Sequence, residues 1–181
     1  MDERLRRLII RMLARIGGAM DALEAERITP QQWAAQFASV LAQGHADALR
    51  AGGVNPASPV GRAVLTRTVA TQLHFLSGFQ AVIEDAPQFE RGWKARAGMY
   101  AESVGAPYWA GRTKLLPLPA LPKDGSTLCK TRCGCAWEVQ QLEGDNNYDC
   151  YWRRGKRDSC STCIARERAW APLRIREGRV I

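Results

Sequence analysis

The sequence predicts an α+β protein: a helical body of about four helices, then a small zinc-stapled β-hairpin module with one short helix. Three observations point there. Apolar residues recur at helical spacing through most of the N-terminal part. Pro117, Pro119 and Pro122 then alternate with apolar residues, a pattern that favours an extended strap. All six cysteines lie beyond the strap, between Cys129 and Cys163. The implied division is residues 1–115 for the body, 116–127 for the strap and 128–181 for the cysteine-rich module.

The first helix is expected over residues 2–27. Leu5, Leu8, Ile9, Met12, Leu13, Ile16 and Leu23 share one face, while Arg4, Arg7, Arg11 and Arg15 form a stripe on another. That stripe reads either as a solvated face, as an arm that docks on an acidic partner or nucleic acid, or as a membrane-surface helix. The second helix spans 29–51. Thr29 caps it, Pro30 fits its first position, Gln32 completes a capping box, and Gly52 and Gly53 stop it. Its buried stripe is Trp33, Phe37, Val40, Leu41 and Ala48. The third helix, 58–85, starts at Ser58-Pro59 and buries Leu65, Val69, Leu73, Leu76 and Ile83. Pro87 opens a fourth, with Phe89, Trp93, Ala97, Tyr100 and Val104 at helical steps. His45 and His74 stand alone on these helices with no other ligand type nearby, so they are read as core or surface residues.

Beyond the strap, "CGCAWEVQQ" and "YDCYWRRG" flank the turn-rich "LEGDNN" and read as a hairpin. With Val139 opposite Cys150, Trp137 faces Trp152, and Cys135, Trp137, Val139, Cys150 and Trp152 share one side. Ser161 or Thr162 starts a short helix carrying Ile164 and Trp170. "PLRIREGRVI" closes as a last strand pair around Glu177-Gly178.

The 181 residues are enough to bury a core without covalent help. Net charge is +8, divided as +1 over residues 1–27, +3 over 28–127 and +4 over 128–181. Such a balance suits nucleic acid or an acidic protein surface. No apolar run approaches the ~18 residues of a membrane span. Arg11 and Arg15 interrupt the N-terminal apolar stretch that a signal peptide would need. The reading is therefore a cytosolic protein without a targeting signal, in which thiols stay reduced and clustered cysteines bind metal more often than they form disulfides.

Zinc takes four ligands in a tetrahedron, and Cys160-x2-Cys163 has the spacing of one edge. Cys129 and Cys133 are the choice for the other edge, with Cys135 a substitute for either. Cys150 has no partner at ligand spacing and is assigned to the hairpin core. A site closed by four thiolates has no place for water, so this zinc is structural, and its binding supplies the folding energy of a module too small to fold alone. With no His-x-Glu, nucleophile elbow, phosphate loop or His-Glu-x-x-His, the chain is not read as an enzyme and no small-molecule substrate is expected.

The stretch "LPLPALPKDGSTLCKTRCGCAWEV", with "YWRRGKRDSCSTCIARERAWAPL" after it, resembles the C-terminal part of tailed-phage minor head proteins, the phage head morphogenesis family. The shared features are the strap Pro117–Pro122, the turn Lys123-Asp124-Gly125 and the knuckle of Cys129, Cys133 and Cys135 beside Trp137. Cys160 and Cys163 ahead of Trp170 and Pro172 complete them. "WKARAGMYAESVGAPYWAG" resembles the region preceding the family's strap. In many members a Cys-x2-Cys comes first and a His-Pro-x-Cys-Arg-Cys element follows; here the order is reversed and the histidine is absent.

The resemblance implies a low-copy virion component that associates with portal and capsid proteins inside the head, acts in host cytoplasm during assembly and is placed to contact packaged DNA. Two other readings compete. One is a zinc-ribbon nucleic-acid-binding regulator contacting its target through Trp137, Tyr151, Trp152, Arg153, Arg154, Lys156 and Arg157, residues that otherwise read as core aromatics beside a solvated basic turn. The other is a thiol oxidoreductase using Cys160 and Cys163.

Overall fold

A computed structural model describes residues 2–155 and 159–181. Five α-helices come first: α1 (Glu3–Glu24), α2 (Pro30–Gly52), α3 (Pro59–Asp85), α4 (Gly92–Met99) and α5 (Gly105–Arg112). A four-stranded antiparallel sheet follows: β1 (Ala136–Gln141), β2 (Tyr148–Arg153), β3 (Leu173–Arg176) and β4 (Arg179–Val180). Helix α6 (Ser161–Ala169) lies between β2 and β3. The expected α+β architecture is present, with one helix more than expected in the body.

The helix ends follow local chemistry. The Asp2 carboxylate accepts the Arg4 amide at the start of α1. At α2, Thr29 Oγ1 accepts the Gln32 amide while Gln32 Oε1 accepts that of Thr29, so two orphan donors are satisfied reciprocally. Gly53, at φ 105°, ends the helix in the left-handed region. Ser58 caps α3 through the Gly61 amide.

Helix α1 is part of the core and not a detached arm. Leu5, Leu8, Ile9, Met12, Ile16, Ala19, Met20 and Leu23 are all buried against the bundle. Leu13 is a correction: it stays 43% exposed, because it lies at the margin of the face that α2 and the Tyr100–Val104 turn cover. Trp33 sits at the centre, 5.2 Å from Phe37 and 5.3 Å from Phe79 between ring centroids. Helix α3 packs mainly on α2, so its buried set is narrower than its apolar set. Val64, Leu76, Phe79 and Ile83 are inside, Leu65 and Val69 are half-buried, and Leu73 is exposed.

The fourth helix also differs from expectation. Ala86, preceding Pro87, is extended at φ −89° and ψ 138°, as steric conflict with a following proline dictates. The helix opens at Gly92 and not at Pro87. Tyr100–Val104 then tightens into a 3-10 turn before α5, which the apolar spacing had not separated. Helix α5 crosses α2 with backbones in contact. A Cβ on Gly111 would lie 2.8 Å from the Gly52 Cα and 2.8 Å from the Leu49 carbonyl oxygen.

The strap binds body to module. Leu121 packs against the aromatic core of the body, the cysteine-tryptophan core of the module and the small cluster around Leu49. Lys123 is buried, its ammonium bonded to the Glu102 carboxylate and, at 2.8 Å, to the Thr131 carbonyl. Its stem lies on Gly105, where a Cβ would collide with it. Within the sheet the register is the expected one: Trp137 pairs with Trp152 and Val139 with Cys150. The last strand pair turns at Glu177 and Gly178, both at positive φ. No helix among the described residues is long and apolar enough to cross a membrane.

Candidate metal centre

Two short elements deliver the cysteines. Cys129 and Cys133 flank a single 3-10 turn, Lys130–Arg132. Cys160 is the N-cap of α6 and Cys163 lies in its first turn. Sheet packing brings the two together: the Trp137 indole donates to the Ala120 carbonyl at 2.9 Å, tying the hairpin to the strap. Trp137, Trp152 and Trp170 pack as a group with centroids 5.3 to 5.7 Å apart. The Arg166 guanidinium covers Trp152 and Trp170 at 5.3 and 5.2 Å and reaches the Ser126 carbonyl at 3.1 Å. It thereby clamps α6 to the loop that carries Cys129.

The sulfur separations are 3.6 Å for Cys129–Cys160, 3.8 Å for Cys129–Cys163, 3.5 Å for Cys160–Cys163 and 3.7 Å for Cys133–Cys163. Sulfurs bound to one zinc at about 2.3 Å lie roughly 3.8 Å apart along a tetrahedral edge. Thiols in ordinary van der Waals packing do not need to converge in this way. Two sets of three sulfurs each fall within 4.8 Å of one another: Cys129, Cys160 and Cys163, and Cys133, Cys135 and Cys163. The cluster is capable of coordinating a metal ion. Cys150 lies outside both sets, buried in the hairpin core opposite Val139.

The electrostatics fit a cation. Burial raises the Cys129 thiol. Bonding to Cys135, then burial, raises that of Cys133, and burial raises that of Cys163. Burial opposes ionisation of Cys160 too, yet the Cys163 and Cys129 amides and the neighbouring thiols bring it down to about 6. One thiolate is thus ready near neutral pH, and a dication would ionise the others by its own charge. Thr127 Oγ1, 3.2 Å from Cys129 Sγ, is a supporting contact that spacing had not revealed. Cys150, by burial and then the nearby Asp149 charge, is raised to about 11 and stays neutral.

The expected nucleic-acid surface is rearranged. Trp137 and Trp152 are 5% and 1% exposed, so they are core and offer no face to a base. Tyr151 is half-buried beneath Arg153, whose guanidinium pairs with Glu138 at 2.7 Å, and Arg154 pairs with Glu167. Lys156 and Arg157 lie outside the described residues. His45 is buried, with Ser103 at 2.9 Å and Thr68 at 3.1 Å on its ring nitrogens. Burial depresses it to about 4, so it is a neutral core residue.

No protein-family model, curated protein or solved structure matches this chain.

Proposed function

We propose that the chain is a non-enzymatic scaffold whose C-terminal module is folded by one structural zinc ion, bound by Cys129, Cys133, Cys160 and Cys163. The spacing of the sulfurs supports this reading: the three edges of the Cys129–Cys160–Cys163 face, 3.5 to 3.8 Å, match tetrahedral edges, and Cys133 lies 3.7 Å from Cys163 at one corner of that face. Closed by thiolates, the ion would have no free position for water or substrate, so its work is structural. Elemental analysis of the purified chain tests this, with one zinc per chain expected and none counting against it.

Among scaffolds, we assign it to tailed-phage head assembly as a minor head protein that meets portal and capsid proteins. The support is the resemblance of residues 115–137 and 152–173 to that family, and the helical body supplies faces for protein contact. Purified particles should contain the chain in low, fixed copy number. Its presence only as free protein in lysate would sink the assignment.

A second reading draws on the structure more directly: a metal-stapled nucleic-acid-binding protein. Lys130, Arg132, Arg168, Arg174 and Arg179 are exposed on the module and have no ion-pair partner among the described residues. Cations so placed can neutralise phosphates. Binding to duplex or single-stranded DNA should then weaken steeply as salt rises. Lack of binding at low salt removes this reading and leaves the metal staple untouched.

A further inference from the structure

The cluster holds five sulfurs, one more than a tetrahedral ion accepts. Their arrangement is uneven. Cys129, Cys160 and Cys163 form a complete triangular face, with all three edges between 3.5 and 3.8 Å. Cys133 and Cys135 lie together on the side of Cys163, and these three form the second close set. Both thiols are buried inside the module. The second set includes neither Cys129 nor Cys160. Cys163 is the one sulfur common to both sets.

We propose that Cys133 and Cys135 are interchangeable fourth ligands, so that the module has two metal-bound forms sharing Cys129, Cys160 and Cys163. This rests on the metal reading above and deepens it. Cys129, Cys160 and Cys163 would supply three ligands, and either of the two thiols beside Cys163 the fourth. Their positions in the chain make the exchange short. They are separated only by Gly134, on the segment leading from the 3-10 turn into β1. Exchange would break one metal–sulfur bond and form another. Cys135 gives up its thiol proton on binding, and Cys133 takes one up on release. The ion keeps four thiolates and its oxidation state throughout, so no external oxidant or reductant enters. The sulfur that is off the metal remains beside it as a thiol donor to a bound thiolate, which lowers the negative charge crowded around the site.

Cobalt(II), added to the reduced full-length chain, reads the ligand count directly through its ligand-field and sulfur-to-metal charge-transfer bands. The wild type should show a four-thiolate spectrum. Cys133→Ser and Cys135→Ser should each keep that spectrum, because the remaining thiol of the two takes the fourth position. The double variant should drop to three thiolates and lose about a quarter of the charge-transfer intensity. Cys163→Ser, which removes the shared vertex, should be the worst single variant. The far-UV helical signal of each variant reports separately that the body is folded. If either the Cys133 or the Cys135 variant shows three thiolates, or no bands, the two residues are not interchangeable and the inference fails while the metal reading stands. A wild type without bands would remove both.

Discussion

Around Trp33 the body surrounds an aromatic centre with helices on several sides; around Trp152 the module has a small sheet, one short helix and a strap. The first region buries Trp33, Phe37, Leu41 and Phe79 completely and contains no cysteine. The second has a shorter list of buried apolar groups, and cysteines make up half of it. Apolar burial contributes roughly 25 cal/mol per Å², so a region this small has little margin over the entropy of ordering its chain. A thiolate-bound zinc contributes on the order of 10 kcal/mol of folding free energy and changes that balance. On the proposed metal reading, the ion would stand where the apolar core is small and leave the larger core to burial alone.

The largest test of this contrast is Cys163→Ser. It should abolish zinc binding and unfold the module, read as loss of near-UV tryptophan dichroism, while the helical signal at 222 nm changes little. The reverse experiment is Gly111→Ala. Its methyl would meet the backbone of Gly52 and Leu49 at 2.8 Å, and two backbones cannot yield as a side chain can. We expect about 3 kcal/mol of destabilisation in the body, measured by denaturant unfolding at 222 nm, with zinc content unchanged.

The link between the regions comes next. Glu102→Gln leaves the buried Lys123 ammonium with the Thr131 carbonyl but without a carboxylate. A fully buried pair would lose more, but the Glu102 side chain is 30% exposed, so about 2 kcal/mol is expected. The strap should loosen first, seen as faster amide exchange over residues 116–127.

Acid acts on the body through His45, separately from the protonation of thiolates that would release a metal from the module. His45 has a pKa of about 4 in the folded chain against 6.5 as the ordinary value. The unfolded chain therefore binds the proton more readily. Stability is full above about pH 6.5 and is lost as pH falls toward 4. Between pH 7.5 and 5.0 the helical signal should lose about 2 kcal/mol of stability, and His45→Gln should flatten that slope.

Much of this was legible in the sequence where the cause is local. The capping box of Thr29 and Gln32 needs only its own residues, and the register of Val139 with Cys150 needs only alternation and a turn of known length. What escaped depends on distant partners. Helix α5 is built partly from Gly105, Pro107 and Gly111, residues that weaken a helical pattern yet allow backbones to touch. Leu13 and Leu73 fit the apolar spacing, but no neighbouring helix covers them fully. The Lys123–Glu102 pair joins a strap to a 3-10 turn and leaves no trace in spacing. Trp137 and Trp152 looked equally suited to a core or to a base, and only the packing with Trp170 separates the two. At the cluster, spacing identifies the thiols but cannot rank Cys133 against Cys135, because both sit one short step from Cys163.

The central claim is that the body folds by burial and the module by metal. Amide hydrogen exchange of the same full-length chain, with zinc bound and after chelation, tests it most directly. Protection should persist in α1, α2 and α3 under both conditions and collapse in residues 129–153 and in α6 once the metal is removed. Equal protection of the module in both states would contradict the account.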